Sequence, residues 1–235
     1  MADIGKVILI TGAGGHIGSG FVSHYLAEGM QVIAVSSRDD FVVSKNLRVI
    51  AANFTEVGGG LRLMDEALKI SPKIDYIINN AARQDVALLK DENSEVIQDI
   101  FRVNFTSIAE MYSRIAQGGH GMESIINITS IEAKVARAGH SIYGASKAAL
   151  ESLTRTAAQE IAPVRSNALR LGLIEREGIR TAWPQGVASW EESAPLARMG
   201  TLKDVLRASD YLLGATWMTG SILTLDGGIS ASPNW

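Results

Sequence analysis

The start of the chain joins an apolar run, three evenly spaced glycines and a helical stretch. Val7–Ile10 is apolar throughout, which indicates a buried strand. Gly12, Gly15 and Gly18 follow, and residues 21–26 continue as a helix. Glycines permit a tight turn and a close approach of the backbone to a phosphate, and the helix start offers unpaired N–H groups. The segment therefore predicts a strand, a phosphate-binding loop and a helix.

The alternation of strand and helix continues along the chain. Strands are predicted at Val7–Ile10, Gln31–Val35, Leu47–Ala51, Asp75–Ile78, Ser124–Ile128, Asn167–Leu171 and Ser221–Leu225, with helices at about 16–28, 60–70, 93–117, 142–162 and 201–214. Helical crossovers join parallel strands. The pattern predicts an α/β fold with a doubly wound parallel seven-stranded sheet and helices on both faces, in the order 3-2-1-4-5-6 with strand seven at the edge.

Length and composition fit one domain spanning residues 1–235, of which 46% are hydrophobic and 20% charged. The least periodic region is 175–199, which contains Trp183, Pro184, Trp190 and Pro195. We interpret this region as a partly helical loop or substrate lid.

The charge balance and residue usage exclude several classes of partner. The net charge is −3, so no large basic surface for nucleic acid is expected. The absence of cysteine excludes disulfides and thiolate metal sites, and no metal site is predicted. The sequence shows neither a membrane-span pattern nor a signal-peptide pattern, and we expect a cytoplasmic protein.

Tyr143 and Lys147 are four residues apart and so share one face of a predicted helix. A lysine ammonium beside a phenol favours the phenolate and lowers the pKa of the phenol. Ser130, at the end of the preceding strand, could hold the same substrate oxygen to which the tyrosine passes a proton. These three groups indicate an alcohol/ketone redox site beside a bound nucleotide.

Six motifs in order resemble the short-chain dehydrogenase/reductase family over nearly the whole chain. They are Thr11-Gly12…Gly18, Asn79-Asn80-Ala81-Ala82, Asn104 in Arg-Val-Asn-Phe, Asn127-Ile-Thr-Ser130, the Tyr143/Lys147 pair, and Thr219-Gly220…Leu225-Asp226-Gly227-Gly228. The resemblance implies a Rossmann-type fold, a nicotinamide dinucleotide cofactor and a small-molecule carbonyl or alcohol substrate.

Two positions depart from the family pattern. His16 stands where the commoner loop has its second glycine, whereas Gly15 falls where the sugar-nucleotide-modifying branch has its glycine. That branch normally carries a large extra C-terminal region for which this chain is too short, so we place the chain in the oxidoreductase branch. Leu171 replaces the proline after strand six, which should loosen that turn, while Gly172 remains.

The resemblance also implies roles for four catalytic residues. Tyr143 would be the general acid in reduction or the base in oxidation, and Lys147 would lower its pKa and bind the nicotinamide ribose. Ser130 would polarise the substrate oxygen. Asn104 would bind, through its backbone, a water that continues the proton relay.

The expected cofactor-binding residues follow from the same motifs and from the residues after strands two and three. They are Gly12, Gly15, His16, Ile17, Gly18, Ser36, Ser37, Arg38, Asn53, Phe54, Asn80, Ala81, Ala82, Tyr143, Lys147, Gly172 and Ile174. No carboxylate stands at Ser36, where an acid would bind the adenosine ribose of NAD. Ser36, Ser37 and Arg38 suit a 2′-phosphate, although Asp39 or Asp40 could neutralise Arg38, so NADP(H) is favoured over NAD(H).

Several further residues allow two interpretations. Arg170, inside an apolar strand, pairs with a carboxylate or anchors substrate. Glu132 faces the substrate mouth or is a solvated loop carboxylate, and His140 is expected at the surface or pocket rim. Trp183 and Trp190 either cover the substrate or pack the lid.

The sequence thus predicts an NADP(H)-dependent oxidoreductase that interconverts a ketone and a secondary alcohol. A sugar-nucleotide epimerase or dehydratase and a non-catalytic dinucleotide-binding regulator remain as alternatives. Small residues on helix 142–162 (Ala145, Ala148, Ala149, Ala157 and Ala158) would let helices approach closely. Related enzymes pair through this helix and helix 93–117, so a homotetramer, or a homodimer, is expected.

Overall fold

The strand order predicted from the sequence is confirmed. The computed structural model describes residues 5–37, 41, 43–118 and 121–231. Within these residues lie seven parallel strands in the order β3-β2-β1-β4-β5-β6-β7. They are β1 Val7–Thr11, β2 Gln31–Ser36, β3 Leu47–Ala51, β4 Tyr76–Asn79, β5 Ser124–Ser130, β6 Arg165–Leu171 and β7 Ile222–Leu225. The doubly wound order places a crevice at the carboxyl ends of β1 and β4, where the winding reverses.

Eight α-helices connect the strands of the described part. They are α1 His16–Ala27, α2 Gly59–Ile70, α3 Ser94–Phe101, α4 Ser107–Ala116, α5 Ser141–Glu160, α6 Ile179–Ala182, α7 Pro184–Ser193 and α8 Leu202–Gly214. The prediction of a single helix at 93–117 is wrong in one respect, because a π-helical turn at Arg102–Thr106 separates α3 from α4. The region predicted to be partly helical, 175–199, contains α6 and α7.

Two apolar layers hold the helices against the sheet. One layer includes Leu9, Ile77 and Ile125 with residues of α2, α4 and α5, and the other includes Ile8, Ile78 and Ile126 with residues of α1 and α8. Successive strand residues therefore point to opposite faces of the sheet, and both faces are buried under helices, as expected for a parallel sheet of this kind.

A buried polar network crosses the first of these layers. Asn79 on β4 donates from Nδ2 to Asn127 Oδ1 on β5 at 2.8 Å. Asn127 Nδ2 in turn donates to the hydroxyls of Tyr112 at 2.9 Å and Thr154 at 2.8 Å, and Tyr112 is hydrogen-bonded to Ser166 on β6. Burial raises the pKa of Tyr112 to about 12, so its hydroxyl keeps its proton. A network of this kind fixes the relative positions of β4, β5 and β6.

None of the helices in the described residues is long and apolar enough to cross a membrane.

Candidate active site

The glycine loop after β1 is tied to the end of β4. Thr11 Oγ1 accepts hydrogen bonds from the backbone N–H groups of Asn80 and Ala81, both at 3.0 Å, and Asn80 Nδ2 donates to the Thr11 carbonyl at 3.1 Å. Gly12 has φ +65°, and a Cβ there would lie 2.7 Å from Ala81 Cα; one at Gly18 would lie 2.1 Å from the Gly12 carbonyl oxygen. Glycine is therefore required at both positions.

A cavity of about 710 Å³ lies over this loop, at the carboxyl ends of the strands. Thirteen of the predicted cofactor-binding residues line it, namely Gly12, Gly15, His16, Ile17, Gly18, Ser36, Ser37, Asn53, Phe54, Asn80, Ala81, Ala82 and Ile174. Arg38, like Asp39 and Asp40, lies outside the described residues. Tyr143 and Gly172 line a neighbouring cavity instead, and Lys147 is on the wall of neither.

Eight further residues of this cavity wall were not predicted from the sequence, namely Gly14, Val35, Ala52, Thr55, Arg83, Gln84, Val103 and Arg176. Most of them are chain neighbours of predicted residues and could have been found from that adjacency. Arg176, two residues after Ile174, lies in the region predicted as a lid and carries a positive charge.

The start of α1 suits an anion. No side chain caps this helix, and its first turn contains no acidic residue. Its N-terminal N–H groups and the positive end of its dipole therefore face the cavity without a competing carboxylate. The size of the cavity, the glycine loop and this uncapped helix together fit a dinucleotide with its diphosphate at α1.

A second cavity, of about 660 Å³, adjoins the first and shares Gln84, Ile174 and Arg176 with it. Ser130 and Tyr143 lie on its wall. A molecule in this cavity would therefore contact both hydroxyls and reach the end of the nucleotide cleft.

The structure brings Ser130, Tyr143 and Lys147 together where β5 and α5 meet. Ser130 and Tyr143 share one cavity wall, and the Ser130 hydroxyl lies close enough to the Tyr143 phenol to lower its pKa. Gly144 allows this approach, because a Cβ there would lie 2.7 Å from the Glu132 carbonyl oxygen. Lys147 is buried one turn along α5, where its Nζ donates to the Ile128 carbonyl at 2.9 Å and lies 5.7 Å from the centroid of the Tyr143 ring.

The expectation that Lys147 lowers the pKa of Tyr143 is wrong for the protein chain by itself. Burial, with a smaller contribution from the charge of Glu132, raises the pKa of Tyr143 to about 12, although the Ser130 hydroxyl acts in the opposite direction. Burial also lowers the pKa of Lys147 to about 8, which weakens its positive charge above that pH. Tyr143 therefore holds its proton at neutral pH and is poised as a donor.

Asn104 is fully buried in the π-helical turn, and its side chain is committed to the protein. Oδ1 accepts from the Arg83 N–H at 2.8 Å, while Nδ2 donates to the Arg83 carbonyl at 2.9 Å and to Ser146 Oγ at 3.0 Å. Ser146 Oγ donates to the Tyr143 carbonyl at 2.7 Å. The side chain of Asn104 thus braces the first turn of α5, and only its backbone remains for another ligand.

A charged cluster lies on the wall of the second cavity beside Tyr143. His140 Nδ1 lies 3.0 Å from Glu132 Oε2 and 2.9 Å from Gln84 Nε2, and Arg137 Nη1 lies 3.6 Å from Glu132 Oε1. Glu132 therefore lines the second cavity, in line with the first of its two interpretations. His140 lines the same cavity, as the pocket-rim interpretation expected, but it is buried rather than exposed at the surface.

Arg170 pairs with a carboxylate, which is the first of its two interpretations. Its Nε and Nη2 donate to the two oxygens of Glu151 on α5, at 2.8 and 2.5 Å. Thr129 Oγ1 also donates to Glu151 at 3.0 Å. This bidentate pair joins β6 to α5 behind the site and does not line either cavity.

The two tryptophans of the predicted lid have different environments. Trp190 is buried, donates from Nε1 to the Arg198 carbonyl at 3.2 Å and packs against Gly172, where a Cβ would lie 2.7 Å from its ring. Trp183 is 36% exposed, and the Arg137 guanidinium lies 4.5 Å above its ring. Both line the second cavity, but Trp190 is also part of a packed apolar cluster.

Comparisons with known proteins agree with this geometry. A family model described as Enoyl-(Acyl carrier protein) reductase matches residues 12–230. The chain is 30% identical to the 3-oxoacyl-[acyl-carrier-protein] reductase FabG of Chlamydia pneumoniae over 97% of this chain and 98% of that protein. It is also 30% identical to the L-xylulose reductase of Mesocricetus auratus, over 95% of this chain and 96% of the relative.

Solved structures show the same fold. A 4-hydroxyisoleucine dehydrogenase complexed with NADH superposes with a TM-score of 0.87 at 22% identity, over 97% of this chain and 99% of that one. A gluconate 5-dehydrogenase of Burkholderia cenocepacia, in complex with NADP and tartrate, has a TM-score of 0.85 at 23% identity, over 97% and 96%. The chain belongs to the short-chain dehydrogenase/reductase family and is an oxidoreductase that acts on CH–OH and C=O groups with a nicotinamide dinucleotide.

Proposed function

We propose that this protein interconverts a ketone and a secondary alcohol at Ser130, Tyr143 and Lys147, with NADP(H) preferred. The observation that carries the proposal is that the Ser130 and Tyr143 side chains lie close together on the wall of a cavity that adjoins the nucleotide cleft. A carbonyl oxygen held by both hydroxyls would have its carbon within reach of a nicotinamide ring at the end of that cleft.

Each residue then has one task. A dinucleotide in the cleft would supply the hydride in reduction and accept it in oxidation. Ser130 donates a hydrogen bond to the carbonyl oxygen and polarises it, and Tyr143 donates the proton that turns this oxygen into a hydroxyl. A phenol with a pKa of about 12 is protonated at neutral pH, which favours reduction. Oxidation needs the phenolate, so its rate should rise as the pH rises towards that pKa.

Lys147 and Asn104 support this proton transfer. Lys147 is buried behind Tyr143, and its ammonium, where protonated, stabilises a phenolate by charge. Asn104 positions α5 through Arg83 and Ser146, which leaves its backbone for the water proposed to continue the relay. The widened π-helical turn around Asn104 is of a kind often found at functional sites.

The preference for NADP(H) rests on the residues after β2. Ser36 and Ser37 line the nucleotide cavity, and no carboxylate occupies either position. Their hydroxyls and the positive charge of Arg38 would bind a 2′-phosphate on the adenosine ribose, whereas an acid there would repel it.

We propose that residues 175–199 form the substrate lid, with Trp183 as its substrate-facing residue. This segment follows Gly172 and Ile174, and α6 and α7 cover the second cavity. Trp183 is half-exposed beside the cavity, while Trp190 is held in the apolar cluster beneath. An aromatic face here suits the apolar part of a ketone, and Glu132 and Arg137 suit a polar part.

The homotetramer stays a prediction. On α5, Ala145 is exposed and Ala148, Ala149 and Ala158 are partly so, whereas Ala157 packs into the core and offers nothing to a partner. Four of the five small residues therefore remain available for close pairing with a helix of a second copy. The molar mass from light scattering would give the number of copies in the assembly.

Tyr143→Phe removes the proton donor and keeps the ring. Turnover of the true substrate should fall by roughly 10² or more, while the dinucleotide still binds. Steady-state rates and cofactor titration measure the two effects. Tyr211→Phe, at an exposed tyrosine on α8, is the matched control and should leave both unchanged. Near-wild-type turnover in Tyr143→Phe would show the mechanism to be wrong.

NADPH should bind more tightly than NADH, and Arg38→Ala should narrow the difference by about 1–3 kcal/mol, the contribution of a hydrogen bond to a charged group. Fluorescence titration of both cofactors measures it. NADH lacks the 2′-phosphate, so its affinity serves as the internal control and should not change. Equal affinities in the wild type, or a preference for NADH, would contradict the proposal.

Trp183→Ala should raise KM for the true substrate, because it removes aromatic surface from the second cavity, and should leave NADPH affinity nearly unchanged. Trp217→Ala is the matched control, at a fully exposed tryptophan on neither cavity wall. Trp190→Ala should instead lower stability, by about 3–5 kcal/mol for a buried tryptophan. An unchanged KM in Trp183→Ala means that the lid does not touch substrate.

A further inference from the structure

Arg176 stands at the junction of three cavities. It lines the nucleotide cavity and the second cavity, and it also lines a third cavity of about 400 Å³ together with His16, the first residue of α1. Arg176 therefore shares a cavity wall with the start of α1 as well as lining the nucleotide cleft.

The backbone around Arg176 is anchored, whereas its side chain is not. The Glu175 N–H donates to the Gly200 carbonyl at 2.8 Å, and the Arg176 carbonyl accepts from the Ile179 N–H at 3.2 Å. The side chain is exposed and makes no hydrogen bond or ion pair with any other residue that the structure describes. The adjacent carboxylate of Glu175 is paired with Arg180 at 3.3 Å.

Two separate features thus offer positive charge to the same end of the nucleotide cavity. One is the uncapped start of α1, whose first turn contains no acidic residue. The other is an unpaired guanidinium at the root of the lid. A diphosphate between them would receive backbone N–H groups from one side and a two-pronged guanidinium from the other.

We propose that Arg176 clamps the diphosphate of the bound dinucleotide from the lid side. The inference rests on the proposed function only in taking a dinucleotide as the ligand, and it is independent of the choice between NADP(H) and NAD(H), because both carry the diphosphate. By binding the cofactor, Arg176 also ties the root of residues 175–199 to it, so that cofactor binding and lid position become coupled.

The test measures binding rather than turnover, with NADPH, ADP and adenosine as probes. Arg176→Ala should weaken NADPH and ADP binding by roughly ten- to hundred-fold, as for a lost hydrogen bond between charged groups. It should leave adenosine binding unchanged, because adenosine has no phosphate. Arg176→Lys keeps the positive charge but loses the two-pronged geometry of the guanidinium. Its affinities for NADPH and ADP should therefore fall between those of the wild type and of Arg176→Ala. The weakening should shrink at high salt.

Arg207→Ala is the matched control. Arg207 is exposed on α8, pairs with no other described residue and lines none of the three cavities. Arg207→Ala removes the same charge as Arg176→Ala, but from a position outside the cavities. It should therefore leave the affinities for NADPH, ADP and adenosine unchanged.

Two results would overturn the clamp. One is wild-type affinity for NADPH and ADP in Arg176→Ala, which would leave the proposed function standing. The other is an unchanged NADPH affinity with a raised KM for the carbonyl substrate, which would assign Arg176 to the substrate. Failure of the wild type to bind NADPH or NADH at all would instead remove the proposed function and the clamp together.

Discussion

The hydrogen bonds between Thr11 and the Asn80–Ala81 backbone hold the two halves of the sheet together at the point where the winding reverses. They press the glycine loop against β4 so closely that no Cβ fits at Gly12. One residue before Asn80, Asn79 donates to Asn127, which is followed three residues later by Ser130. Buried polar contacts therefore join β1 to β4 and β4 to β5, the strand that ends at the proposed catalytic serine.

Burial sets the electrostatics of the site. It raises the pKa of the Tyr143 phenol and lowers that of the Lys147 ammonium, and each shift favours the neutral form. The charge of Glu132 acts on Tyr143 in the same direction as burial. The chain alone therefore keeps Tyr143 as a proton donor, and a shift towards the phenolate requires positive charge close to the phenol. The oxidised nicotinamide ring carries such a charge, so the state of the cofactor and the protonation of Tyr143 should be linked.

Local patterns in the sequence predicted the strands and the glycine loop, and the resemblance to a known family added most of the residues that line the nucleotide cavity. Buried strands, the glycines after β1 and the i, i+4 spacing of Tyr143 and Lys147 are features of neighbouring residues, and these predictions needed no long-range information. The partner of Arg170, the burial of His140 and the separate environments of Trp183 and Trp190 depend on contacts between distant segments. The same holds for the contacts of the Asn104 side chain, which bonds to Arg83, 21 residues away. The raised pKa of Tyr143 depends on burial, which a spacing of four residues does not reveal.

The decisive measurement is the loss of NADPH or NADH absorbance with a panel of carbonyl compounds, including aliphatic, aromatic and hydroxylated ketones and β-keto thioesters. The structure predicts that at neutral pH at least one ketone is reduced to its secondary alcohol, with one alcohol formed for each reduced cofactor consumed. If the wild-type protein binds the cofactor but reduces no ketone in such a panel, and oxidises no secondary alcohol at alkaline pH, then Ser130, Tyr143 and Lys147 do not form the redox site described above.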